Sequence, residues 1–411
     1  MTKKKTFEER RVILYDDASQ PTDPATVTAA TSLENLNLNW TERDLPERER
    51  TKHVHRLHPY LGKFIPQLVE IFLRKYFSPG QTVLDPFAGS GTTLVQANEL
   101  GINAIGYDIS AFNVLLCNAK TAHYDIKRLN FEVKDSLDQL KRKTQLRLSD
   151  LPLFTQIDDV IDTPKTDSAY LQTWFAPQAL FELLTYRDLI DSSDYKYKDL
   201  LRVILTRASR SARLTTHFDL DFPKQPQREP YFCYKHSRVC SPTEEAFKFI
   251  QRYSLDTLKR VEEFAKLRTS ASVDVYNVDS RQGVNRPIDG VLTSPPYVGL
   301  IDYHEQHAYA YQLLGLEDRR AAEIGPAAEG SSKRAQKQYQ QDIAQVFQQA
   351  LKQLPSGGRL IVVAGDRANL YPTIAEMIGA EVEHILERHV NRRTGRRSGE
   401  FYESVFIWRK P

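Results

Sequence analysis

The sequence predicts an α/β protein, an open and mostly parallel sheet interrupted by a large helical insertion. Short apolar strands alternate with amphipathic helices from residue 64 to 120, the alternation stops from about 121 to 271, and strands return from 272. "FIPQLVEIFLRKYF" (64–77) has apolar residues at helical spacing and stops at Ser78-Pro79-Gly80. "TVLD" (82–85) is a strand, "PFAGSG" a glycine-rich turn, and "TTLVQANEL" a helix closed by Gly101. "NAIGYD" (103–108) is the next strand, and Ser110 is a helix cap for the residues after it. Strand, turn, helix, strand and helix in that order make a right-handed parallel unit.

The middle of the chain reads differently. "PQALFELLTYRDLI", "YKDLLRVILTRASRSARL" and "SPTEEAFKFIQRYSLDTLKRVEEFAKL" are helical, with residues 215–242 loop-like. A capping box, Ser241 with Glu244, and Pro242 at the first helical position predict where the last of these helices starts. Strands resume with "SVDVYNVD" (272–279) and "IDGVLT" (288–293). A second helical insertion is expected at about 299–350. "GGRLIVVAGD" (357–366) is a buried strand, "YPTIAEMI" a short helix, and "AEVEHILERHV" and "FYESVFIWR" a closing antiparallel pair around "NRRTGRRSGE". Four segments follow: a polar, partly disordered stretch 1–45, an α/β half 46–120, the helical insertion 121–271, and a second α/β half 272–411.

Composition excludes some classes. Lys plus Arg number 56 against 53 for Asp plus Glu, a net charge of +3, which permits a nucleic-acid partner without arguing for one. Three cysteines in 411 residues make no disulfide framework and suggest a reducing compartment. No apolar run approaches the ~20 residues of a membrane span. The start, "MTKKKTFEERR", lacks the apolar core of a signal peptide. A soluble, cytoplasmic protein is expected.

Four stretches can carry chemistry. In "DPFAGSGTT" (85–93) a strand ends in an acid, and Gly89 and Gly91 let the backbone approach a ligand closely. The N–H groups at the start of the following helix can bind a carboxylate, and Asp85 can receive an ammonium. The stretch is no phosphate loop, because it lacks the Gly-Lys-Ser/Thr ending. Asp108, at the tip of the second strand, can accept two ribose hydroxyls. Asp279, ending "NVD", can accept from an exocyclic amine. "TSPPY" (293–297) ends a strand on two prolines, which cannot extend a ladder. It therefore begins a stiff loop at a carboxyl end, where open α/β sheets bind ligands. Each stretch alone also fits an ordinary turn or cap.

Together they resemble one family. "HPYLGKFIPQLVEIF" (58–72) is similar to motif X, "DPFAGSGTT" to motif I and "TSPPY" to motif IV of the DNA amino-methyltransferases that use S-adenosyl-L-methionine (AdoMet). The resemblance covers roughly residues 53–120 and 272–409. It implies a Rossmann-like AdoMet-dependent methyltransferase sheet, with the strands ending at Asp85 and Thr293 as neighbours at the point where strand order reverses. It assigns Phe64, Asp85, Pro86, Phe87, Gly89, Gly91, Thr92, Asp108 and Asp279 to the cofactor, and Ser294, Pro295, Pro296 and Tyr297 to the catalytic loop. Ser-Pro-Pro-Tyr is the form usually seen in cytosine-N4 enzymes, and Asp-Pro-Pro-Tyr in adenine-N6 enzymes. The implied partners are double-stranded DNA and a cognate restriction endonuclease of a restriction–modification or related defence system. The insertion 121–271 is the candidate for target recognition, with 299–350 as its rival. Adenine N6 as target, an RNA amino-methyltransferase, and a non-catalytic binder on the same fold are the alternatives.

Two arginine clusters are candidates for phosphate contact: Arg207, Arg210 and Arg213 in "RVILTRASRSAR", and Arg392, Arg393, Arg396 and Arg397 in "NRRTGRR". Cys233, His236 and Cys240 have irregular spacing, and His53, His55 and His58 make no defensible metal set, so no metal is expected.

Overall fold

The computed structural model describes residues 11–13, 20–62, 64–144, 165–214, 225–233, 237–283, 285–390 and 401–411. Its strands are β1 (Arg11–Ile13), β2 (Thr82–Asp85), β3 (Asn103–Asp108), β4 (Tyr231–Cys233), β5 (Arg238–Cys240), β6 (Val273–Asn277), β7 (Gly290–Thr293), β8 (Arg359–Ala364), β9 (Glu381–Val390) and β10 (Phe401–Arg409). Eight of them form one sheet in the order β1-β9-β10-β8-β7-β2-β3-β6, while β4 and β5 form a separate ribbon. The pairs β8/β7, β7/β2, β2/β3 and β3/β6 are parallel, and β10 runs antiparallel between β8 and β9. The sheet centre is buried on both faces: every residue of β7, and all but the first of β2, β3 and β8. That is why these strands read as continuous apolar runs.

The main helices are α1 (Pro66–Tyr76), α2 (Thr92–Glu99), α3 (Ala111–Thr121), α4 (Ile126–Thr144), α5 (Pro177–Ser192), α6 (Lys198–Ala212), α7 (Phe247–Ala265), α8 (Ala308–Leu314), α9 (Lys333–Gln353) and α10 (Tyr371–Ile378). One face of the sheet packs on α1 and α2 through Leu68, Phe72, Leu94 and Val83. The other packs on α9 and α10 through Phe347, Ile343, Ile374 and Trp408. The helices of the insertion build a third core, in which Leu183, Leu201 and Ile250 meet Phe112 and Leu116 of α3. The insertion thus rests on the outer side of a helix of the α/β half. Among the described residues no helix is long and apolar enough to cross a membrane.

Three expectations change. Of the stretch read as polar and partly disordered, residues 20–45 are packed: Val27, Leu33, Leu36 and Leu38 are buried in the same core as α1. Their irregular spacing hid them, since neither a helical nor a strand period is present. Helix α7 starts at Phe247 rather than beside Ser241, with no side-chain cap of its own. Its first N–H groups, of Ala246 and Phe247, instead donate to the buried Glu182 of α5 at 2.6 and 2.7 Å. A carboxylate from another helix satisfies the donors that a local cap would have taken. The second insertion is also shorter than expected, because α9 lies on the sheet as the crossover between β7 and β8, leaving 299–332 as the inserted part. Within it α8 joins the insertion core through Tyr309, Ala310, Tyr311 and Leu313.

Candidate active site at the switch point

The sheet order reverses between β2 and β7, which pair in parallel with Val83 opposite Gly290 and Leu84 opposite Val291. Ligands bind outside the carboxyl ends at such a point. The two strand ends are joined directly: Thr293 Oγ1 donates to Asp85 Oδ1 at 2.6 Å. Asp85 is fully buried and also accepts from Phe87 N–H at 3.1 Å. Burial pushes its carboxyl up to about 6, with Thr293, Thr93 and the Phe87 N–H pulling the other way.

After Asp85 the turn needs its glycines. Gly89 has φ +49° and Gly91 φ +77°, the region that side chains rarely adopt. A Cβ at 89 would stand 3.2 Å from Tyr60 Oη, and one at 91 would stand 3.0 Å from Cys117 Sγ. The turn is clamped from two sides. Gly89 N–H donates to Asp108 Oδ2 at 2.8 Å, and the buried Lys120 donates through Nζ to Ser90 O at 2.6 Å.

Asp108 also accepts from Ser110 N–H at 2.8 Å and from Asn113 Nδ2 at 3.1 Å. Burial pushes its carboxyl up to about 6 against the pull of these donors. Ser110 caps α3 as expected, accepting from Asn113 N–H at 3.2 Å. Asp279 was expected as an acid open to an amine, and the structure gives it a cationic partner. Arg281 donates to it through Nη2 at 2.7 Å and Nε at 3.0 Å, and reaches Asp342 at 3.3 Å. Burial raises the Asp279 carboxyl, and the Arg281 bonds outweigh that and hold it below its ordinary value.

Phe64, Pro86, Phe87, Gly89, Thr92, Asp108 and Asp279 line one cleft, and Ser294 and Pro296 line it from the β7 side. Of the predicted residues, Asp85, Gly91, Pro295 and Tyr297 do not line this cleft, and each adjoins in sequence a residue that does. The sequence reading missed Tyr60, Asn113, Tyr303 and Glu323, which also line the cleft. Tyr60 lies inside the quoted motif X stretch, and its aromatic character was the available signal. Tyr303 and Glu323 come from the inserted 299–332 and carry no motif. Glu323 is tied to His304 through that residue's N–H at 2.9 Å and its ring.

The proline loop is gripped from outside. Tyr339 Oη of α9 donates to Pro296 O at 2.8 Å and stands 2.8 Å from Tyr371 Oη of α10. Tyr297 Oη donates to Glu403 Oε1 at 3.0 Å, and Glu403 is paired with Arg388 across β9 and β10. Burial and the adjacent Glu403 carboxylate push the Tyr297 phenol well up. Tyr297 is therefore an anchored ring beside Phe401.

The arginines separate. Arg207 is buried and paired with Asp256 at 2.7 Å, with its guanidinium 4.2 Å from the Tyr253 ring centroid. Arg213 is buried over the Tyr309 ring at 4.7 Å. Arg210 is half-buried. Both buried groups have structural partners that a helix-surface reading does not foresee. Arg392, Arg393, Arg396 and Arg397 lie outside the described residues, as does His236. His53, His55 and Glu99 converge, with Glu99 balanced by Lys52 at 2.9 Å and His53 at 2.8 Å.

The turn can accept a ligand at its backbone, and the acid at the next strand tip can accept hydroxyls, so these residues fit AdoMet. Comparison with known proteins points the same way. A family model described as DNA methylase matches residues 2–118. The type II methyltransferase M.MjaII of Methanocaldococcus jannaschii is 38% identical over 430 residues, covering 88% of this chain and 81% of the relative. M.BsoBI of Geobacillus stearothermophilus and M.MvaI of Kocuria varians, both type II methyltransferases, are each 24% identical, over 68% and 59% of this chain and 56% and 53% of their own lengths. With the switch-point cleft, these likenesses establish that the chain belongs to the N6/N4 family of type II DNA methyltransferases, which use AdoMet.

Proposed function

We propose that the protein methylates the exocyclic N4 amine of cytosine at specific sites in double-stranded DNA, acting on a base turned out of the duplex. The observation that carries this reading is the Thr293–Asp85 bond, which sets the Ser-Pro-Pro-Tyr loop against the glycine turn. Bound AdoMet supplies an electrophilic methyl group on a sulfonium. Asp108 would accept from its ribose, and Gly89 and Gly91 would admit its methionine part. Ser294 and the Pro295 carbonyl would accept from the target amine and aim its lone pair at the methyl carbon. Ser294 and the Pro295 carbonyl would thereby hold the amine for direct methyl transfer, which would leave S-adenosyl-L-homocysteine as the thioether and release the amine's proton to water. No covalent enzyme intermediate is needed, so no cysteine takes part. Tyr297, held in one orientation by Glu403, would stack on the base. The base must leave the helix because its amine is otherwise paired and stacked.

Cytosine is preferred over adenine on the resemblance of Ser294-Pro295-Pro296-Tyr297 to the loop usually seen in cytosine-N4 enzymes. The neutral Ser294 hydroxyl can both donate and accept, so it can meet the amine and the adjacent ring nitrogen together, a pair that cytosine and adenine share. Helices 121–271 are proposed to read the target sequence, and a cognate restriction endonuclease is the expected companion.

Mass spectrometry of nucleosides after in vitro methylation of DNA and RNA tests this. N4-methylcytosine in DNA is expected, and Tyr297→Ala should remove ~1–3 kcal/mol of stacking and most of the activity. N6-methyladenine alone would overturn the cytosine assignment while keeping amino-methyl transfer. 5-Methylcytosine would overturn both.

A further inference from the structure

A second cavity, of about 310 Å³, lies against the cofactor cleft, and Tyr60 lines both. Its walls bring together four guanidinium groups from two distant parts of the chain. Arg56 comes from the short turn His53–Arg56, and Arg207, Arg210 and Arg213 come from α6 and its end. Successive spacings of three keep the latter on adjoining positions of the helix surface. Among the described residues that line the cavity, Glu47 is the one carboxylate. It lines the cavity from an exposed position, and Asp256 is engaged with Arg207. Arg213 rests on aromatic groups, stacked on Tyr309 and donating to Tyr170 Oη at 3.3 Å.

His58 and His307 complete the wall and are kept neutral. Burial lowers both, and the neighbouring Arg210 lowers them further. The local field is therefore positive, carried by the arginines. Like charges gathered around one recess repel one another, and an anion placed between them relieves that repulsion. Their forked donors match the oxygens of a phosphate.

We propose that this cavity holds one phosphodiester group of the DNA strand that carries the target base. Tyr60 would then separate the backbone of the turned-out nucleotide from the cleft in which its base meets the methyl donor. The inference rests on the DNA reading above and adds a specific site to it.

The test uses duplexes with a single neutral methylphosphonate at successive positions of the target strand, with binding followed by fluorescence anisotropy. For the wild type, neutralising one phosphate beside the target base should weaken binding roughly tenfold. For Arg56→Ala and Arg210→Ala the same neutralisation should cost less than about twofold, because its partner is already gone. Arg56 is exposed, so its variant keeps the fold even where Arg210→Ala loses it. Equal losses in all three proteins, or no sensitive phosphate, would overturn the proposal. Competition by millimolar inorganic phosphate without any methylphosphonate effect would assign the cavity to a free anion and overturn it too. A wild type that methylates duplex DNA with no such coupling sinks only the cavity assignment. A wild type that neither binds nor methylates DNA sinks the DNA reading itself.

Discussion

The glycine turn after β2 is clamped by the next strand and helix, β3 and α3. Asp108 takes the Gly89 N–H from 19 positions away, and Lys120 reaches Ser90 O from 30. The Ser-Pro-Pro-Tyr loop after β7 is held from farther along the chain. Tyr339 binds Pro296 O across 43 positions, and Glu403 binds Tyr297 Oη across 106. These two clamps on the glycine turn are thus local in sequence. The catalytic side is assembled by α9, α10 and the β9–β10 pair. The same cleft has one wall fixed by local chemistry and one fixed by the fold as a whole.

Substitutions should separate the two walls. The largest effect is expected for Asp108→Ala, which loses the proposed ribose contacts and one clamp of the turn. It should weaken AdoMet binding by about 1.5–3 kcal/mol, read by calorimetry, and leave DNA affinity near wild type. Unchanged AdoMet affinity would remove Asp108 from the cofactor side. Tyr339→Phe keeps the ring and removes the bond to Pro296, so kcat should fall by the equivalent of about 1 kcal/mol with AdoMet affinity unchanged. A fall in AdoMet affinity instead would mean that the walls are not independent.

The smallest effect is a pH dependence confined to the cofactor side. The Asp108 carboxyl is raised from 3.8 to about 6 in the folded chain, so its neutral form is favoured there. Its contribution to stability is fully present below about 3.8 and is lost as pH rises through about 6. Ribose binding runs the other way, because it needs the carboxylate. AdoMet affinity should therefore drop about twofold at pH 6 relative to pH 8, while the unfolding temperature rises relative to that of Asp108→Asn. An affinity flat across this range would mean that Asp108 does not titrate near 6.

The contrast also explains what could be read from the sequence. β2, the glycine turn, β3, the Ser110 cap and the neighbourhood of β2 and β7 were legible, because each rests on residue types at short spacing or on a motif. The start of α7 was not, since Glu182, 64 positions away, replaces a local cap. The pairing of Asp279 with Arg281 was open to inspection at two residues' distance, but nothing in the sequence ranked it above a free acid. Tyr303 and Glu323 reach the cleft only because 299–332 folds over it, a tertiary fact without a periodic signature. The inward turn of Arg207 and Arg213 depends likewise on Asp256 and Tyr309, which no spacing on α6 announces.

The bond between Thr293 and Asp85 joins residues 208 positions apart. During synthesis a ribosome must deliver the whole helical insertion before β7 can find β2. Closing so long a loop is entropically costly, and parallel pairing between distant segments is slow. The insertion has a hydrophobic core of its own, shared with α3, and once compact it brings its two ends closer than a flexible chain would. It would then act as an internal folding scaffold. A cavity cut into that core should delay maturation of the cleft beside it, and a weakened insertion should show first as a loss of active yield.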